Sequence, residues 1–165
     1  MRVPKGKLIA VGGNEDKGTY PNPKTRKRYT LDFFELGILK RLLVETGKSR
    51  PHVEVITTAS SIPLEVGAMY QDAFARLGLT ELPVMHIRTA DDARRADYLD
   101  RLRACDAVMF SGGDQSKITQ AFNGSEFLET MVERYYGEEH FVIAGTSAGA
   151  MAMSKVMIAG GNPFD

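Results

Sequence analysis

Five short apolar runs constrain this chain more than any single motif: Lys7–Val11, Val53–Thr57, Leu82–Ile87, Asp106–Phe110 and Phe141–Ala144. Each is nearly continuous rather than alternating, the pattern of a strand buried on both faces. Segments with helical spacing lie between them. Leu31, Phe34, Ile38 and Leu42 recur every three to four residues, with Thr30 as a cap, Lys40 and Arg41 near the end and Gly47 as a stop. Pro63 opens a second helix, with Val66, Met69, Ala73 and Leu77 on one face and Gly78 at its end. Thr89 caps a third, whose first turn carries Asp91 and Asp92, where the helix dipole favours acids. Lys117–Phe122 predicts a short helix. Ser125–Tyr136 predicts a longer one, with Leu128, Met131, Val132 and Tyr135 inward and Gly137 closing it. Strand and helix in regular alternation predict a mostly parallel sheet covered on both faces, a doubly wound α/β domain.

Composition narrows the function classes. A length of 165 residues fits one domain with a real core, and 43% hydrophobic against 25% charged residues is ordinary for a globular chain. Basic and acidic residues both number 21, so no bulk charge argues for nucleic acid or an anionic membrane. Leu8–Val11 is too short for a signal-peptide core, and no apolar run approaches membrane-spanning length. With the single Cys105 excluding an internal disulfide, a cytoplasmic location is the expectation. Cys105 itself reads as a small buried hydrophobe, and the eight methionines as core filling. The polar loop 14–29 becomes basic at Lys24, Arg26, Lys27 and Arg28. A solvated surface explains that cluster, and contact with an acidic substrate is the sharper alternative. Gly13 to Gly18 has the spacing of a phosphate loop, but Thr19 stands where the lysine is required. No cofactor and no metal-ligand cluster is expected.

The chemistry converges on Gly145-Thr146-Ser147-Ala148-Gly149, which follows the fifth apolar run and precedes an Ala/Met-rich segment able to be helical. A strand that turns sharply into a helix exposes the central residue on a strained backbone and offers amide groups to a developing oxyanion. Ser147 is the candidate nucleophile and the Ala148 amide one oxyanion donor; Ser154 is too far along to share that role. Ligands of open α/β sheets bind beyond the carboxyl ends of the strands. Four loops leave that edge: Gly12–Asp16, Thr58–Ser61, Ser111–Gln115 and the turn at Ser147. Gly112-Gly113 lets backbone approach a substrate closely, so either a second oxyanion donor or a plain tight turn explains it. A nucleophilic serine needs a base, usually histidine. His52 and His140 precede their strands and so belong at the amino edge. His86 sits within an apolar run, where a satisfied core histidine is expected.

Several blocks then match one family together. Gly-Gly-Asn-Glu-Asp-Lys after the first strand, Thr-Ala-Ser-Ser-Ile-Pro after the second, Ser-Gly-Gly-Asp-Gln after the fourth, and Ala-Gly-Thr-Ser-Ala-Gly-Ala with Val-Met-Ile-Ala-Gly-Gly beyond it resemble the cyanophycinases. These sit in the serine peptidase family that also contains the α-aspartyl dipeptidases (dipeptidase E), with a fold like class I glutamine amidotransferases, flavodoxin-like in kind. The resemblance covers nearly the whole chain. It implies an exopeptidase that releases β-Asp-Arg dipeptides from cyanophycin, needs no metal and forms a homodimer. Carried onto this sequence, Ser147 is the nucleophile, Ala148 and the Gly112-Gly113 turn form the oxyanion hole, and Gln115 with Asp114 contacts substrate. Glu15 and Asp16 belong to the family pattern without a role derivable from chemistry. The family's catalytic histidine and its acidic partner fall beyond Asp165, so residues 1–165 are expected to be a peptidase domain incomplete at its C-terminal end. The competing readings are an α-aspartyl dipeptidase, an esterase of the α/β-hydrolase type, and a non-catalytic module that binds an aspartate-rich ligand.

Overall fold

The computed structural model describes residues 2–13 and 37–158. The strands are β1 (Lys7–Val11), β2 (Val53–Ile56), β3 (Val84–Met85), β4 (Ala107–Phe110) and β5 (Val142–Thr146). The helices are α1 (Ile38–Glu45), α2 (Pro63–Arg76), α3 (Ala96–Ala104), α4 (Gln115–Phe122), α5 (Glu126–Gly137) and α6 (Ala148–Met151). The sheet order is β1-β5-β4-β2-β3, and all four pairings are parallel. The doubly wound α/β architecture expected from the alternation is therefore present.

Pleating divides the sheet's side chains between two cores. Val53, Val55, Ala107, Met109, Val142 and Ala144 pack against α1 and α2, around Tyr70 and Phe74. Ile56, Val108, Phe110 and Ile143 point the other way, into α3, α4 and α5. There Phe122 meets Phe110 edge-on at 5.8 Å and Phe127 at 5.1 Å. Successive residues of one strand face opposite layers, so burial on both sides explains the apolar runs of β2, β4 and β5, with Glu54 in β2 the charged exception. β1, at the edge of the sheet, instead leaves Leu8 and Ala10 exposed on one face.

Several element bounds differ from expectation. Among the described residues the first helix begins at Ile38, with Gly37 extended at its N-cap; the expected cap Thr30 and the positions Leu31 and Phe34 lie outside the described residues. β3 is two residues rather than six. Pro83 lends its carbonyl to the Val55 amide but has no N–H to extend the ladder. Thr89 and Asp92 do form a reciprocal cap: the Asp92 carboxylate accepts the Thr89 amide and the Thr89 hydroxyl oxygen accepts the Asp92 amide. That cap starts only a single 3-10 turn, and α3 begins afresh after an extended Arg95.

Two helix faces are rotated from those expected. In α2 the buried row is Gly67, Tyr70, Ala73 and Phe74, leaving Met69 at the margin. In α5 Phe127 and Met131 are buried, whereas Val132 is 42% exposed. Arg134 continues the inward side of α5. Its guanidinium donates to the Leu102 carbonyl, stacks 4.1 Å over the Phe141 ring and lies 3.8 Å from Cys105 Sγ. An inward arginine is possible because its guanidinium face packs on Phe141 while each of its three nitrogens finds an acceptor, Nη1 at Leu102 and Nε and Nη2 at Glu138.

Cys105 is fully buried, and desolvation pushes its thiol up to about 12 despite the nearby Arg134. The thiolate is the reactive form. Cys105 should therefore resist alkylation by iodoacetamide at pH 8 in the folded protein and react fully in denaturant; stoichiometric labelling of the native state would contradict this burial.

No helix among the described residues is long and apolar enough to cross a membrane.

Candidate functional site

β2 and β4 are neighbours whose outgoing connections diverge, one toward β3 and the other toward β5. Such a switch point opens a crevice at the carboxyl edge, where ligands of α/β sheets bind. The loops 57–61 and 111–114 leave from it, and β5 brings Ser147 in beside them.

Ser147 has φ 49° and ψ −112°, the one positive φ outside glycine among the described residues. Such a backbone costs about 1–3 kcal/mol, so the surroundings must hold it. They do so from both sides. The Ser147 amide donates to the Val11 carbonyl at 2.9 Å, and the buried Thr146 hydroxyl donates to the Gly13 carbonyl at 2.6 Å. On the far side the Met151 amide returns to the Ser147 carbonyl at 2.9 Å. The glycines of the motif are fixed by packing. A Cβ on Gly145 would lie 2.5 Å from the Gly149 carbonyl carbon, and one on Gly149 would lie 2.6 Å from the Phe110 carbonyl oxygen. α6 thus crosses the ends of β4 and β5 at a separation only glycine permits.

The turn after β4 is pinned at both ends. Ser111 donates its amide to Ile56 and Asp114 its amide to Ala59, at 3.0 and 2.9 Å. Between them, the amides of Gly112 and Gly113 donate to no described residue. Gly113 has φ 141° and lies so close to Ala59 that a Cβ would fall 2.1 Å from its carbonyl oxygen. Gly112 faces Ser147, where a Cβ would sit 3.4 Å from the serine Cβ. Ser147, Ala148, Gly112 and Gly113 are therefore brought together.

Asp114 and Gln115 have other occupations. The Asp114 carboxylate caps α4, accepting the Ser116 hydroxyl at 2.5 Å and the Ser116 amide at 2.9 Å; these bonds hold it below the usual carboxylate range. Gln115 donates its side-chain amide to the Ile158 carbonyl at 2.7 Å. Neither lines the cleft beside Ser147, whose volume of about 500 Å3 is lined by Gly13, Ser111–Gly113, Thr146 and Ser147 together with Ile62, Val66, Met69 and Tyr70. Glu15 and Asp16 lie outside the described residues, as does the basic stretch Lys24–Arg28.

No described histidine serves Ser147. His52 and His140 stand at the amino edge, His52 beside buried Glu54 at 3.2 Å and His140 against Gly47. Glu54 itself receives both the Nε and Nη2 protons of Arg101, at 3.1 and 2.6 Å. His86 Nδ1 lies 3.2 Å from the Thr57 hydroxyl, the satisfied histidine expected of its position. It follows β3, three strand spacings from β5, which is roughly 14 Å at the usual interval.

Sequence reasoning did not find Arg88. Its guanidinium donates to the Ser60 carbonyl at 2.8 Å and the Thr58 carbonyl at 3.3 Å, while the Arg88 amide donates to Asp92 at 2.9 Å. It straps down the loop leaving β2. A single arginine after a short edge strand carries no motif by which it could have been singled out.

The sequence profile of Peptidase family S51 matches residues 34–163. Cyanophycinase of Synechococcus elongatus is 30% identical over 157 residues, covering 95% of this chain and 44% of its own length. Cyanophycinase of Trichormus variabilis is 29% identical over 164 residues, covering 98% and 50%. The chain spans about half the length of the curated relatives it matches. The crystal structure of a peptidase from an acI-B1 Actinobacterium superposes with a TM-score of 0.70 over 93% of this chain and 59% of that one, at 21% identity, a likeness of fold. A profile matched over residues 34–163, most of the chain, places this chain in peptidase family S51.

Proposed function

We propose that this chain is the nucleophile-bearing part of a serine peptidase that cleaves cyanophycin to β-Asp-Arg dipeptides. The observation that carries this reading is the strained Ser147 at the β5–α6 turn, held between β1 and the Gly112-Gly113 turn. Strain at a single non-glycine residue persists where position matters more than local stability. Membership of family S51 and relatives named cyanophycinase support cyanophycin as the substrate in this reading.

In this mechanism Ser147 Oγ attacks the scissile carbonyl and loses its proton to a base. The carbonyl oxygen becomes an oxyanion facing the Ala148 amide and the unengaged amides at Gly112-Gly113. Each such donor lowers the barrier by about 3 kcal/mol. The C–N bond then breaks, the amine leaves with the proton, and water releases the acyl group from Ser147. The base comes from outside the described residues, since their three histidines lie elsewhere. Asp114 and Gln115 act from the α4 N-terminus, with Asp114 shaping the turn as a cap and Gln115 reaching substrate only if it releases Ile158.

The test is incubation of the natural full-length protein with insoluble cyanophycin and, separately, with α-aspartyl dipeptides. Soluble β-Asp-Arg from the polymer is expected. Cleavage of the dipeptides alone would make the protein a dipeptidase, and cleavage of neither would favour a ligand-binding role.

A further inference from the structure

The cleft at Ser147 has an apolar, partly exposed wall supplied by the start of α2. Ile62, Val66, Met69 and Tyr70 follow one stripe at the start of α2, and all four line the same cavity as Ser147 and Gly112. Ile62 is 52% exposed, although an isoleucine beside a polar turn gains by being covered. Tyr70 is fully buried beneath the stripe, while Val66 and Met69 are half-buried. Every described side chain lining this cleft is uncharged.

The mounting of the wall is unusually firm. Ser60 Oγ accepts the Ile62 amide at 3.0 Å, Pro63 fixes the first helical position, and the Arg88 strap holds the Ser60 and Thr58 carbonyls. An apolar surface held this way beside a reacting serine binds without an ordering cost.

We infer that Ile62, Val66 and Met69 form a specificity subsite for an uncharged aliphatic group of the substrate adjoining the scissile bond, a chain of methylenes such as the stem of a long side chain. This rests on Ser147 being the nucleophile. A charged group seated here would lose its hydration with no described partner of opposite sign. A methylene chain instead gains by leaving water, each buried CH2 strengthening binding by roughly fourfold where contact is complete. A long side chain thus lays its stem on the wall and carries any charged end past it.

The test uses alkyl fluorophosphonates of increasing chain length on the natural full-length protein. Ser147 Oγ forms a bond to phosphorus, the P–F bond breaks, fluoride leaves, and the hydroxyl proton passes to solvent base. The labelling rate should rise by at least roughly tenfold from ethyl to octyl. Ile62→Glu and Met69→Glu should flatten that dependence. Leu64→Glu should retain it, because Leu64 is 68% exposed and lies outside the cleft lining. Labelling that is independent of chain length, or a dependence kept in both Ile62→Glu and Met69→Glu, overturns the subsite while leaving the nucleophile intact. No labelling by any probe, in a protein that melts cooperatively, removes the nucleophile and the subsite with it.

Discussion

Under the proposed function, replacing Ser147 with alanine is expected to lower cyanophycin hydrolysis by at least about 10^4-fold, since loss of the nucleophile removes the covalent route altogether. The melting temperature should barely move. Alanine inherits the same φ of 49° and the same bonds from the Ser147 amide and carbonyl, so the strain stays in place. Ser147→Gly separates the two effects. Glycine adopts this backbone without the penalty, which is of order 1–3 kcal/mol for other residues. It should be as inactive as Ser147→Ala yet melt several degrees higher. Activity assays and thermal melts of the three proteins side by side check this. If Ser147→Gly melts no higher than Ser147→Ala, the strain assigned to the turn is absent. If Ser147→Ala keeps its activity, the nucleophile assignment is wrong.

The second large effect belongs to the glycines around that serine. Gly149→Val should cost at least about 3 kcal/mol or abolish folding. Its first added carbon would lie 2.6, 2.8 and 3.0 Å from the carbonyl oxygen, Cβ and carbonyl carbon of Phe110. Two of those atoms are backbone of a central strand, and Phe110 is itself packed against Phe122. No rotamer change relieves such a contact, so α6 would have to lift away from the sheet. Gly12→Ala is the comparison: no described atom lies within 4 Å of a Cβ there, and the change should stay within about 0.5 kcal/mol. Urea unfolding of both variants decides the matter, and equal midpoints would refute the close approach of α6 to β4.

The architecture was legible in the sequence because burial on both faces leaves a direct mark. Val53, Val55 and Ile56 face two different helix layers and are apolar, while Glu54 between them is buried only because Arg101 pairs with it, so strand positions and the parallel sheet followed from nearly continuous apolar runs. Gly145, Ser147 and Gly149 were legible for a similar reason, since the backbone geometry they serve is local and admits few residues.

Helix faces were less legible. Tyr70 and Phe74 rather than Met69 became the buried row of α2, and Arg134 turned inward on α5, because rotation about a helix axis is set by the shape of the facing sheet. Asp114 shows the limit at the site. Its place in the Ser-Gly-Gly-Asp-Gln block marks it for substrate, but its carboxylate caps α4 through Ser116, a bond visible only when the turn is folded.

By itself, then, the sequence determined the layer architecture and the strained turn at Ser147, since both follow from residue-by-residue limits on burial and backbone angle. Only the tertiary structure decided what faces that serine. The β2–β4 switch point brings Gly112 from one loop, Ile62 from the end of another and Met69 from α2 to the same cleft, and contacts between residues so distant in the chain leave no periodicity to read.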